Sequence, residues 1–260
     1  MLTSLQNPLV KQLRKLHQAK GRREQGLFLL EGTHLIEEAC ATGYPLTIAC
    51  CTTEWQMAYP HLWQQVAERA ERVEQVSAPV LAAIATTVNP DGIVAAAPSR
   101  SLQLQRVESL TLGVAVETVQ DPGNLGTLIR TAAATGVDHL WLSHNSVDLE
   151  HPKVLRATAG QWFRLPMSVS SSLSDALQPL QTAGVQVIAT APTAELTYWQ
   201  VDLTRPSLIL LGNEGAGLSP TLAAIADMQV KIPLAPGVES LNLAIAAALM
   251  LYEAIRQRSQ

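Results

Sequence analysis

The sequence predicts two α/β units, the second built on a parallel sheet. Three observations lead there. Short, continuous apolar runs such as LTLGVAVETV (110–119), HLWLS (139–143), VQVIAT (185–190) and SLILLG (207–212) punctuate the second half, with helical patterns among them. Strands that are apolar on both faces belong to parallel sheets covered by helices on each side. A length of 260 residues, 47% of them hydrophobic, is enough for two cores. Finally, the polar stretch PSRSLQLQRVES (98–109) has no hydrophobic period. We therefore expect a first domain over 1–98, a linker over 99–109 and a second domain over 110–260.

In the first unit, Leu5 to Ala19 reads as a helix, with Leu5, Leu9, Leu13 and Leu16 on one stripe. LFLLEG (27–32) is a strand leading into a helix through about Cys40, and PLTIACC (45–51) a second strand. Helical patterns follow around 61–71 and 78–86, and GIVAAAP (92–98) closes the unit as a buried strand. In the second unit, after the strand at 110–119, we expect a helix over 124–135, the strand 139–143, a helix near 152–160 and a strand at 165–169. A helix over 172–183, strands at 185–190, 207–212 and 228–234, and a final helix over 241–258 complete it.

Composition excludes several classes. No apolar run approaches the roughly 18 residues of a membrane span, and MLTSLQNPLVKQLRKL lacks the features of a signal peptide, so we expect a soluble, cytoplasmic protein. Cys40, Cys50 and Cys51 form no C-x-x-C pair, which argues against a disulfide framework or a zinc site; no metal is expected. The net charge is −4, yet residues 1–23 carry Lys11, Arg14, Lys15, Lys20, Arg22 and Arg23 with no Asp or Glu. A basic arm on an acidic body suits a polyanion, although a solvated helix face would carry the same charges.

Three turns, each following a strand of the second unit, carry the chemistry. In open α/β sheets ligands bind beyond the carboxyl ends of the strands. In VQDPGNLGTLIRTAAATG (119–136), Asp121-Pro122-Gly123 forms a turn, Asn124 is a candidate N-cap, and Gly136 can end the helix in the left-handed conformation. Arg130 falls off the apolar stripe of that helix. In LILLGNEGAGLSP (208–220), Gly212, Gly215 and Gly217 permit close backbone approach, and Glu214 suits a hydroxyl or a cation better than a phosphate. The spacing is neither the dinucleotide fingerprint nor a P-loop, which disfavours a nicotinamide enzyme. In VKIPLAPGVESLNLAIAAALMLYEAIRQ (230–257), Ser240 or Asn242 starts a helix that is apolar nearly all round, and such a helix is fully buried or half of a subunit interface.

Taken together, N-x-G-x-x-x-R-T-A (124–132), L-G-N-E-G-x-G-L (211–218), and I-P-L (232–234) with S-L-N-L-A (240–244) resemble the three motifs of SpoU/TrmH-type RNA 2′-O-ribose methyltransferases of the SPOUT superfamily. NPLVKQLRKL, FLLEGTHLIEEA, GIVAAAP and HPKVLRATAGQWFRLP extend the likeness over nearly the whole chain. The resemblance implies a deep trefoil knot in the C-terminal domain, a homodimer, S-adenosyl-L-methionine (SAM) as cofactor and RNA as substrate, ribosomal rather than transfer RNA. A tRNA 2′-O-methyltransferase and a catalytically inactive RNA-binding relative are the alternatives.

The same likeness implies that Gly212, Ile232 and Leu241 hold SAM through their backbone. Asn124, Arg130, Glu214, Ser240 and Asn242 match the family's active-site set, with Arg130 reaching the ribose-phosphate across the dimer interface and Glu214 and Asn242 orienting it and the loops. Lys11, Arg14, Lys15, Arg22 and Arg23 of the N-terminal domain would contact RNA. One departure is Asn89-Pro90-Asp91-Gly92, where relatives more often carry Pro-Gln-Gly; it bears on substrate detail rather than chemistry.

Overall fold

A computed structural model describes residues 1–100 and 109–260. Most of the linker expected at 99–109 lies outside the described residues. The chain divides into two compact units, and the division is not the contiguous one the sequence suggests: Asp148–Arg164 clusters with the N-terminal residues.

The first unit begins with α1 (Pro8–Lys15), α2 (Ala19–Gln25), β1 (Leu27–Glu31), α3 (Thr33–Ala41) and β2 (Leu46–Cys51). It continues through α4 (Thr53–Ala58), α5 (Pro60–Arg69), β3 (Ala70–Gln75), α6 (Ala78–Ile84) and β4 (Ile93–Pro98). The sheet is mixed, in the order β1-β4-β2-β3, with β4 antiparallel to both neighbours and β2 parallel to β3. Leu9, Leu13 and Leu16 are buried with Val80, Leu81 and Ile84 against one face of this sheet. The single helix expected over Leu5–Ala19 is instead two helices. Asn7 caps the first, accepting from Leu9 N, and the chain breaks at 16–18 so that α2 folds back on α1. Strand β3 escapes sequence reading because it is an edge strand, AERVEQ, whose apolar content is one alanine and one valine; charged edges deter strand addition and erase the alternating pattern.

The second unit holds β5 (Leu112–Val116), α7 (Pro122–Ala134) and β6 (His139–Ser143). The next helix, α8 (Pro152–Ala157), belongs to the first unit, where Arg156 pairs with Glu31 of β1 at 3.1 Å. The second unit resumes with β7 (Met167–Ser170), α9 (Leu173–Thr182), β8 (Gln186–Thr190), β9 (Leu196–Thr197), β10 (Ser207–Leu211), α10 (Pro220–Ala224), β11 (Met228–Lys231) and α11 (Leu243–Arg258). Its seven strands run in the order β7-β6-β5-β10-β8-β11-β9, and every neighbouring pair is parallel. Helix α9 packs its Leu173, Leu177 and Leu180 into a core with Trp141, Val187 and Leu208. Helix α11 packs against α7 and β10. Strand order reverses where β5 meets β10, and such a switch point opens a crevice at the carboxyl edge of the sheet.

Candidate functional site

Three loops leave the carboxyl ends of β5, β10 and β11 on the same edge of the second unit. The first begins with a strained residue, Thr118, at φ 58°. A β-branched side chain rarely occupies that region, and surrounding bonds must hold it there. Here Thr118 N donates to Ser143 Oγ at 2.7 Å, while its carbonyl accepts from Asn213 Nδ2 at 2.7 Å. Helix α7 then starts two residues earlier than the sequence suggested. Asp121 is the N-cap, accepting from Asn124 N at 2.7 Å, and Pro122 fits the first helical position. Asn124 is thus inside the helix, with its side chain free of capping duty. Gly136 follows the helix at φ 68°, as its sequence position implied.

The loop after β10 is a closed backbone knuckle. Asn213 and Gly217 exchange backbone hydrogen bonds of 2.9 Å in both directions, and Asn213 Oδ1 accepts from Gly215 N and Ala216 N at 3.0 Å each. A Cβ at position 212 would lie 2.3 Å from the Gly217 carbonyl carbon, so only glycine permits this closure. Gly212 therefore shapes the loop itself; a side chain there would strike backbone before it reached any ligand. The far end of the loop is held by Ser219 N donating to Glu117 Oε2 at 2.7 Å.

The third loop ends at Asn242, the N-cap of α11, whose Oδ1 accepts from Ala244 N and Ile245 N. Its Nδ2 donates to Asn124 Oδ1 at 2.8 Å, and Asn124 Nδ2 in turn donates to Glu214 Oε1. One side-chain relay, Asn242 to Asn124 to Glu214, thereby links all three loops. Within one chain, then, Glu214 and Asn242 hold Asn124. Arg130 sits six residues further along α7, roughly 9 Å along the axis. It is exposed, with no ion pair among the described residues.

Gly212, Glu214, Ile232, Ser240 and Leu241 share one cavity of about 350 Å³, with Thr190 of β8 on its wall. Arg130, Asn124 and Asn242 are not among its lining residues. The volume falls in the range of small-molecule and cofactor sites. Its donor set fits SAM: aliphatic walls from Leu211, Val230, Ile232 and Leu243 for a planar base, exposed loop backbone for the base's edge, and the Glu214 and Glu239 carboxylates for cationic groups. Among the described residues no group of three or more His, Cys, Asp or Glu could hold a metal ion.

The basic arm separates into two kinds of residue. Lys11, Arg14, Lys15 and Lys20 line a cleft of about 490 Å³ in the first unit. Arg22 does not belong with them. It is 2% exposed, and its guanidinium donates to Asp148 Oδ2 at 2.5 and 3.2 Å and to the Leu16 and His17 carbonyls. Its charge closes the α1–α2 turn and is not available to RNA. Arg23 is exposed outside the cleft. Asn213, Thr118 and Glu117 are the positioning residues that sequence reading missed. Asn213 had a signal, a turn-forming residue inside the glycine loop, whereas Thr118 had none.

A cofactor-sized cavity beyond the carboxyl ends of β8, β10 and β11 in a parallel sheet defines a ligand-binding α/β protein of the kind that handles nucleotide cofactors. The chain belongs to the SpoU rRNA methylase family, whose sequence model matches residues 111–252, while an MRM3-like substrate binding domain matches 7–95. A tRNA/rRNA methyltransferase of Synechocystis sp. is 49% identical over 99% of this chain and 94% of its own length. A 23S rRNA guanosine 2′-O-methyltransferase of Bacillus subtilis is 32% identical over 96% of this chain and 97% of its own. Among solved structures, the AdoMet-bound rRNA methyltransferase of Sinorhizobium meliloti superposes with a TM-score of 0.86 at 35% identity, covering 98% of this chain and 97% of that one.

Proposed function

We propose that this chain transfers the methyl group of SAM to the 2′-hydroxyl of a ribose in ribosomal RNA. The observation that carries the reading is the relay joining three separate loops beside a cavity walled by Gly212, Ile232 and Leu241. SAM, when bound, supplies an electrophilic methyl group on a sulfonium. The chain's own work is to position the ribose and to manage charge. Glu214, fixed through Asn124, presents a carboxylate at the mouth of the cavity, where it holds a hydroxyl or offsets positive charge. Ser240 adds a hydroxyl on the opposite loop. Arg130 anchors the ribose-phosphate; its guanidinium is always protonated, so it grips and stabilises charge rather than acting as a base. Exposed Lys11, Arg14, Lys15 and Arg23 track the phosphates of the RNA.

The same reading assigns the N-terminal residues to RNA recognition and 110–260 to catalysis, and includes a deep trefoil knot around the loops after β10 and β11. It makes the working form a cytoplasmic homodimer. Ile245, Leu249 and Tyr252 form an exposed apolar stripe along α11, at 51%, 36% and 56% exposure, and a second copy would cover it. No helix among the described residues is long and apolar enough to cross a membrane. The experiment is mass-spectrometric mapping of 2′-O-methyl groups in ribosomal RNA from cells with and without the gene, with remethylation of the deficient RNA by the purified protein and SAM. A single missing mark, restored in vitro, is expected; an identical methylation map overturns the assignment.

A further inference from the structure

The first unit contains a second concavity, of about 630 Å³, bounded by α4, α6 and the loop that precedes β4. Its chemistry is opposite to that of the basic cleft. The charged groups lining it are the carboxylates of Glu54 and Asp91, with no cation among them, so it disfavours phosphate. Trp55 and Tyr59 line one wall with ring centroids 5.3 Å apart and 30° between planes; Trp55 is buried and Tyr59 is 42% exposed. Val88, 93% exposed, stands at the rim.

The pocket is built rather than incidental. Asp91 Oδ2 accepts from Thr33 N and Thr33 Oγ1, both at 2.8 Å, and Trp55 Nε1 donates to the same hydroxyl at 2.8 Å. Gly92, at φ 112°, lets the loop press against the indole, since a Cβ there would lie 2.6 Å from Trp55 Cβ. These bonds fix Asp91 while leaving its Oδ1 without a hydrogen bond among the described residues. The segment responsible is Asn89-Pro90-Asp91-Gly92.

We propose that this pocket receives one unstacked nucleobase of the RNA substrate, guanine by preference. The proposal rests on the RNA methyltransferase reading. Single-stranded RNA is recognised by splaying a base onto an aromatic side chain and reading its edge with hydrogen bonds. Tyr59 supplies the exposed ring. Glu54 and the free oxygen of Asp91 supply acceptors and no donors. Guanine presents adjacent N1–H and N2–H donors to such a pair, whereas uracil presents a single N3–H donor flanked by two carbonyl oxygens that carboxylates repel. Helix α1, which carries the basic cleft, packs against α6, whose Leu81 and Ala82 line the pocket, so phosphate and base contacts flank one helix of the same unit.

The test uses the full chain and two labelled heptaribonucleotides, UUUGUUU and UUUUUUU, in fluorescence anisotropy at fixed salt. The wild type is expected to bind the guanine-containing strand about tenfold more tightly. Tyr59→Ala should weaken that strand about tenfold, Tyr59→Phe should restore it, and Glu54→Gln should bring the two strands within about twofold of each other. Both side chains are exposed, and circular dichroism controls for folding. Equal binding of the two strands by the wild type, or a preference that survives both Tyr59→Ala and Glu54→Gln, overturns the proposal and leaves the methyltransferase reading intact. Failure of both strands to bind overturns it together with RNA recognition by this unit, which a parallel titration with SAM separates from cofactor binding.

Discussion

Asn124→Ala removes the centre of the relay without touching the fold's support. The backbone N–H of Asn124 is already satisfied by Asp121, and its side chain points to Glu214 and Asn242 rather than into the core. Two bonds are lost. The one from Asn242 is neutral and worth about 1 kcal/mol; the one to the Glu214 carboxylate is worth about 1.5–3 kcal/mol. Both lie at the solvent edge, so the lower end applies, giving about 2 kcal/mol in total. Spent wholly on holding the reacting geometry, that energy corresponds to about a thirtyfold loss in single-turnover transfer of labelled methyl to RNA. The unfolding free energy from urea titration should fall by no more than about 2 kcal/mol, the worth of the two bonds. Combining Asn124→Ala with Glu214→Gln should cost little more than either alone, because the two side chains act through one bond. An unchanged transfer rate, or fully additive losses in the double variant, would refute the relay as a positioning device.

Arg130→Ala should leave folding and SAM affinity intact and cut methyl transfer by about 10²–10³, with Arg130→Lys recovering part of it; wild-type transfer by the folded alanine variant rejects the anchoring role. The basic arm should divide by function. Neutralising Arg14 and Lys15 should flatten the salt dependence of RNA binding by about one unit each at constant stability. Arg22→Ala should instead destabilise by about 2–3 kcal/mol, less than a fully buried pair because Asp148 is 37% exposed; denaturation and salt titration together check both statements. Burial pushes the Cys50 thiol to about 12 and Cys51 to about 11, and raises Cys40. Iodoacetamide at pH 8 should therefore label none of the three in the native protein and all three in urea. Because these values lie above the ordinary 9.0, the unfolded chain loses its thiol protons first, and stability should fall as the pH rises above 9. Labelling of the native protein at neutral pH would show that these thiols are not buried in solution.

What the sequence determined by itself is set by local periodicity and by residue type at turns. The continuous apolar runs of β5, β6, β8 and β10 could only be strands covered on both faces, and the parallel sheet followed. The three loops announced themselves because glycine, proline and asparagine have few alternative uses at such density. The membership of Gly212, Glu214, Ile232, Ser240 and Leu241 in one cavity depended on strand order, which no local signal carries. Only the tertiary structure decided that Glu214 and Asn242 hold Asn124, since partners separated by 90 and 118 residues meet only after the sheet has formed. It likewise decided that Arg22 is a buried structural cation while Arg14 and Lys15 are exposed. Neighbouring charges in a basic run look alike in sequence. A carboxylate that arrives from 126 residues away, Asp148, separates them, because a guanidinium can leave water only where enough acceptors converge to replace it.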